Sequence, residues 1–177
     1  MSNGLKRMNC KIIQRPRSSD RSLVDNLNES KEMAKLLRGV SFEENNAENV
    51  FRALNTVMNI LSYDWYIDDV DLNYFYFRSG KYDGQEFKDA LDEISRLSFA
   101  RIRRYPAGAP IDCIDEYEDF VKSECDFLML FYDGGFFEIF EKEERVIFKT
   151  MDFCLNSGFE NAEYIYDAED SRSHMHF

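Results

Sequence analysis

The chain is poor in histidine. Its two imidazoles, His174 and His176, lie in the last four of 177 residues. The body from 38 to 170 holds none, which removes the usual base from Ser/His or Cys/His nucleophilic catalysis. His-x-His beside Asp167, Glu169 and Asp170 has metal-ligand chemistry, but its place at the terminus reads more simply as frayed chain. The motifs GxxxxGK[ST], GxGxxG and HExxH are also missing, and with them the phosphate loop, dinucleotide fingerprint and zinc-protease helix that those spacings build. The expectation is therefore a protein that is not an enzyme, with no cofactor and no metal.

Long apolar runs are lacking too. None approaches the ~18 residues of a membrane-spanning helix, and no apolar stretch follows the basic N-terminus as a signal peptide requires. The four cysteines, Cys10, Cys113, Cys125 and Cys154, are widely spaced with no CxxC pair. Reduced thiols in a cytoplasm, several of them in the core, are the expected state.

What is present is a core and a charge imbalance. Hydrophobic residues make up 44% of the chain, enough for one packed domain rather than disorder. The net charge is −12. Nine of the 22 Lys/Arg and four of the 34 Asp/Glu fall in residues 1–38, which leaves the rest with 13 basic against 30 acidic residues, a balance of −17. Such a body repels phosphate backbones and anionic lipid, so membrane and nucleic acid are disfavoured partners, and a basic protein is the favoured one. Solubility alone is the simpler use of the same charge.

Residues 1–37 read as a basic arm and helix. Lys6, Arg7, Lys11, Arg15 and Arg17 surround Pro16, and a weak apolar pattern follows at Leu23, Leu27 and Leu37. Such an arm suits nucleic acid or docking on its own acidic body, and Met33 is an alternative start. A single α+β domain is expected over 38–170 and a flexible tail over 171–177.

Within the domain, strands and helices alternate. "RGVSFEE" reads as a strand, "NNAENVFRALNTVMNILS" as a helix capped near Asn46, and "YDWYID" and "LNYFYFR" as strands. Residues 68–71 between those two strands read as a solvated acidic turn. "DGQEFKDALDEIS" reads as a helix with Asp83 and Glu86 at capping-box spacing, and "LSFARIRRYP" as a strand. "IDCIDEYEDFVKSE" is an expected helix, "FLMLFYDGGFFEIF" a hairpin, "ERVIFKTMDFCLNSGF" a helix stopped by Gly158, and "NAEYIYD" the last strand. This is the order βαββαβ twice over. It implies a mostly antiparallel sheet with helices on one side, built from two ferredoxin-like βαββαβ halves that share the strand near 97–105. One strand cannot take three neighbours, so at least one half must pair differently.

The hairpin is apolar on both faces, unlike a sheet with one solvated side. A turn at Asp133-Gly134 pairs Leu130 with Phe137 and Leu128 with Ile139, and puts these four toward the helices. The opposite face then carries Phe127, Met129, Phe131, Phe136, Glu138 and Phe140. Phe99, Arg101, Arg103 and Tyr105 join it from the neighbouring strand. The candidate partner-binding surface is an open sheet face of Phe99, Arg101, Arg103, Tyr105, Phe127, Phe131, Phe136, Glu138 and Phe140, since aromatics and Arg are enriched at interface hot spots. Structural cover by the N-terminal helix, by curling of the sheet or by a second copy is the competing reading, and a homodimer through this face satisfies both.

The blocks "RGVSFEE", "YDWYI", "FARIRRYPAG", "IDEYEDFVKSECDFLMLFYD" and "FENAEYIYDAEDSR" resemble a small family from Bacillus-type Firmicutes catalogued only as a domain of unknown function. The resemblance covers about residues 38–172 and excludes the arm. It implies a small cytoplasmic bacterial protein and carries over no activity, cofactor or catalytic residue.

Two functions follow as expectations. The first is a non-enzymatic acidic protein-binding module, an inhibitor or immunity-type protein for a basic toxin or defence factor. The second is a small-molecule-binding regulator with a pocket between two ferredoxin-like halves, lined by Trp65, Tyr74, Tyr76, Arg101 and Arg103.

Overall fold

The computed structural model describes residues 36–70, 78–91, 98–132, 135–167 and 175. The basic arm, the N-terminal helix and nearly all of the strand expected over 72–78 lie outside them. The described residues belong to a unit spanning Lys35–Phe177.

The element order is β1 (Leu37–Glu43), α1 (Ala47–Val57), a 3-10 turn (Ile60–Ser62), β2 (Tyr63–Asp68), β3 (Gly80–Tyr82), α2 (Gly84–Leu91), β4 (Ala100–Pro106), α3 (Tyr117–Lys122), β5 (Phe127–Tyr132), β6 (Phe136–Glu141), α4 (Glu144–Ser157) and β7 (Glu160–Tyr166). Capping chemistry sets the helix ends. Asn46 accepts from the Glu48 N–H at 3.0 Å to start α1. Before α2, Asp83 accepts from the Gln85 and Glu86 N–H groups at 2.9 Å, and Glu86 accepts from the Asp83 N–H at 2.9 Å, a reciprocal capping box. α4 stops at Gly158, whose φ is 73°, and the Phe159 N–H returns to the Cys154 carbonyl at 3.1 Å.

The helix expected over 111–124 forms only at Tyr117–Lys122. The carbonyls of Asp112 and Ile114 accept instead from Arg103 (2.7 Å) and Arg101 (2.8 Å), so the segment before α3 runs irregularly.

The seven strands among the described residues form one sheet in the order β3-β2-β4-β5-β6-β1-β7, and every neighbouring pair is antiparallel. The α+β class is as expected, but the ferredoxin-like halves do not form. Each half needs its last strand beside its own first strand. Here β4 lies between β2 and β5, and β7 lies beside β1. The chain leaves β4, passes through α3 and returns antiparallel as β5 directly beside β4, and this pairing uses the same order of elements.

α1, α2 and α4 cover one face of the sheet. Trp65 stacks on Phe87 at 4.1 Å and Phe42 on Phe137 at 5.2 Å in that layer. The fourth helix departs from the expected one-sided layout. α3 packs on the reverse face with Ile114, Cys125 and Met175 against Tyr105, Leu128, Leu130 and Phe140. Met175, expected in a flexible tail, is 2% exposed, and its N–H reaches the Asp115 carbonyl at 2.8 Å.

The hairpin register differs by one residue from the expected one. Leu128 pairs with Phe140, Leu130 with Glu138 and Phe131 with Phe137. Residues 133–135 separate the strands, and Gly135 takes φ +84° with its N–H on the Tyr132 carbonyl at 3.2 Å. A Cβ there would sit 2.6 Å from the Glu44 carbonyl oxygen, so the position demands glycine. A one-residue slip turns a strand over. Phe137 and Ile139 face the helices as expected, but so do Phe127, Met129 and Phe131, while Leu128 and Leu130 face the reverse layer.

Candidate functional site

The aromatic sheet face is not open. Arg101, Arg103, Tyr105, Glu138 and Phe140 lie on the reverse face as expected, yet all five are buried. Phe127 and Phe131 lie on the other face, under the helices. Phe99 and Phe136 are half-buried, with Phe136 tilted against Tyr132 at 5.7 Å. The expected platform is thus divided between two interiors. The register slip moved the phenylalanines of β5, and the 109–116 segment, α3 and Met175 roof over the rest.

Two arginines fasten that roof. Arg101 makes a fork with Asp68, donating Nε to Oδ1 at 2.8 Å and Nη2 to Oδ2 at 2.6 Å. Its Nη1 donates to the Ile114 and Met175 carbonyls at 2.8 and 3.1 Å. Arg103 donates Nη2 to Asp68 Oδ2 at 2.8 Å, and its Nη1 reaches the Asp112 carbonyl and the Tyr105 hydroxyl at 2.7 and 3.1 Å. It also lies over the Tyr66 ring at 4.8 Å. Burial opposes the charge on Arg101, but the hydrogen bond and attraction of Asp68 outweigh it and hold the group above its ordinary value. Asp68, read from the sequence as part of a solvated turn, is the shared counterion. Its signal was alternation, since three residues on from Trp65 on β2 it falls on the face opposite that ring and opposite Arg101.

A third arginine lies among the helices. Arg104 donates to Asp126 at 2.7 Å, approaches Glu141 at 3.4 Å and lies over the Tyr63 ring at 4.5 Å. Burial pushes the Glu141 carboxyl up to about 8, with Arg104 pulling the other way. Its Oε1 is buried without a hydrogen bond.

The second functional expectation loses its pocket. Trp65 packs under the helices, whereas Arg101 and Arg103 face the reverse layer. These side chains cannot line one cavity, and Tyr74 and Tyr76 lie outside the described residues. A groove of about 410 Å³ runs between α1 and α4, lined by Glu44, Asn49, Arg52, Thr56, Phe153 and Phe159 among others. Arg52 there is paired with Glu48. Among the described residues no group of three His, Cys, Asp or Glu side chains is placed to hold a metal ion.

Outside these interiors, the sheet formed by the described residues ends at β7. Among the described residues β1 is its only strand neighbour. α4 flanks it with Phe148 and Leu155, exposed at 45% and 61%. Phe148 meets Tyr164 edge-on at 6.0 Å, and Tyr164 meets Tyr166 at 6.1 Å. Sequence reasoning missed this cluster. Its signal was an aromatic at 148 and a leucine at 155, one helical stripe apart, beside a strand with tyrosines at alternate positions.

A sheet between three helices and an arginine-pinned roof defines an α+β protein whose broad faces are both interior. The chain belongs to the family described as "Protein of unknown function (DUF2691)", whose model matches residues 37–176. It is similar to the uncharacterized protein YncE of Bacillus subtilis (strain 168), with 27% identity over 153 residues, covering 78% of this chain and 97% of that one. No solved structure matches it. Among the described residues, no helix is long and apolar enough to cross a membrane.

Proposed function

We propose that the chain is a non-enzymatic acidic module, of the inhibitor or immunity type, that occupies a basic protein partner in the cytoplasm. One observation supports this reading above the others. Among the described residues four arginines are buried (Arg38, Arg101, Arg103 and Arg104) against two carboxylates, Glu138 and Glu141. Folding therefore withdraws positive charge from the surface and leaves most of the negative charge there. The outside of the body is more one-signed than its sequence. A field of one sign steers an oppositely charged partner and raises its association rate.

The test is recovery and reconstitution. The tagged chain is incubated with lysate of its native host at low salt, and retained proteins are identified. The expected result is a basic protein that binds again when both components are pure, with an association rate that falls as salt is raised across the range where exposed charges are screened. Failure of every retained basic protein to bind in purified form overturns the proposal.

A further inference from the structure

Resting on the reading of an acidic module, we infer that the β7 edge and the adjoining flank of α4 form its docking surface, and that the occupant is an extended basic segment that adds a strand to the sheet. An edge strand presents backbone donors and acceptors that another chain can pair with. Natural sheets usually blunt such an edge by charge, by bulges or by covering it. Here a bulge at Asn161, whose φ is 52°, interrupts the start of the strand. The edge is charged with one sign alone, with two exposed carboxylates, Glu160 and Glu163, and no basic residue, which turns away acidic or apolar segments but not a basic one.

The flank supplies what an added strand would pack against. Phe148, Asp152 and Leu155 occupy one exposed stripe of α4, next to the Tyr164 ring. Asp152 is close enough to Tyr164 to push that hydroxyl's pKa up, after the larger effect of burial. An eighth strand would bring its alternate side chains under Phe148 and Leu155 and its remaining side chains beside Glu163. Apolar residues alternating with Lys or Arg satisfy both environments. A second copy of this chain fits less well, because it brings the same two carboxylates and no basic residue to the pairing. The antiparallel registers that set Glu163 opposite Glu163, or Glu160 opposite Glu163, place like charges face to face and destabilise the strand pair.

The probe is a synthetic peptide alternating lysine and valine, and its binding to the full chain is followed by fluorescence anisotropy. A peptide of equal length alternating lysine and proline has the same charge but lacks half the ladder donors. The lysine–valine peptide is expected to bind at least about tenfold more tightly than the lysine–proline peptide. The pair Glu160→Lys and Glu163→Lys is expected to weaken it by about tenfold, as reversal of two charge contacts should. Phe148→Ser is expected to weaken it severalfold, and reversal of Glu118 and Glu124 on the α3 layer to leave it unchanged. Slowed hydrogen exchange at β7 amides on peptide addition is the second expected readout. Equal affinity for the two peptides, or binding indifferent to the β7 reversals but lost with the Glu118 and Glu124 reversals, overturns the edge assignment and leaves the acidic-module reading standing. No binding by any basic peptide or basic protein overturns both.

Discussion

Asp68→Ala removes the one carboxylate that the buried Arg101 and Arg103 share. The Arg101 and Arg103 side chains are 9% and 4% exposed, and Asp68 is 18% exposed. Breaking a buried pair by deleting one partner costs about 3–5 kcal/mol, because the remaining charge stays desolvated. Two charges are orphaned here, which argues for the upper part of that range. The partial exposure of Asp68 and the approach of Asp69 to Arg101 at 3.5 Å argue for the lower part, since water and a neighbouring carboxylate can take over some of the work. The expected loss is about 3 kcal/mol, a large share of the roughly 5–15 kcal/mol that holds a domain together. Asp68→Asn keeps an oxygen acceptor for one guanidinium and is expected to lose about half as much. Urea unfolding at neutral pH, followed by the emission of the single buried Trp65, measures both. A local readout separates the roof from the rest of the fold. The Met175 N–H bonds the Asp115 carbonyl only while the roof is closed, so its hydrogen exchange is expected to accelerate in Asp68→Ala more than exchange in β5 and β6. A loss below about 0.5 kcal/mol, the range of ordinary surface substitutions, would refute the claim that these arginines fasten the roof.

Two further outcomes follow from buried groups. Burial raises Glu141 in the folded state from 4.5 to about 8, so the native protein holds a proton that the unfolded chain has released. This contribution to stability is full below the unfolded value and is lost as pH rises through about 8, by an amount on the order of a few kcal/mol. Glu141→Gln is expected to flatten that decline and to exceed the wild type in urea midpoint at pH 9, and parallel wild-type and variant curves from pH 5 to 9 would count against it. Burial pushes the Cys125 and Cys154 thiols up to about 12, whereas Cys113 is exposed and raised by its hydrogen bond to Asp115. A thiol reagent at pH 8 should therefore label Cys113 in the native state, more slowly than free cysteine, and label the other two only in denaturant. Peptide mapping that finds Cys125 modified as fast as Cys113 would contradict that placement.

The parts of the fold that were legible in the sequence are those fixed by near neighbours. Asn46, the Asp83 and Glu86 pair and Gly158 mark helix ends by contacts within a few residues. The faces of β4 and β6 were also legible, because Arg101 and Arg103 alternate with Ile102, and Glu138 with Phe137 and Ile139. The run Phe127, Leu128, Met129, Leu130, Phe131 offers no such contrast. Either of its faces can be buried, so its orientation depends on the count of loop residues, and a three-residue connection ending in left-handed Gly135 was read as a two-residue turn. The roof was illegible for a different reason. Its irregular backbone between β4 and α3 is held by Arg103 and Arg101 of β4, which reach forward to the carbonyls of Asp112 and Ile114, and no helix or strand periodicity announces a partner of that kind.

That roof also explains why a chain so rich in carboxylates keeps arginines inside. An irregular segment leaves carbonyls without ladder or helix partners, and a buried carbonyl without a donor is costly. A guanidinium offers five N–H donors in a fixed fork, so Arg101 can serve a carboxylate and two carbonyls at once. Leucine or phenylalanine would fill the same volume and leave those carbonyls unpaired. The acidity of the surface follows in part from this internal use of basic residues, and the one-signed field it leaves acts on any basic partner from every side. What distinguishes a binding surface from general solubility is placement, and Glu160 and Glu163 lie on an edge strand beside exposed Phe148 and Leu155, where charge, ladder and apolar contact can act on one segment together.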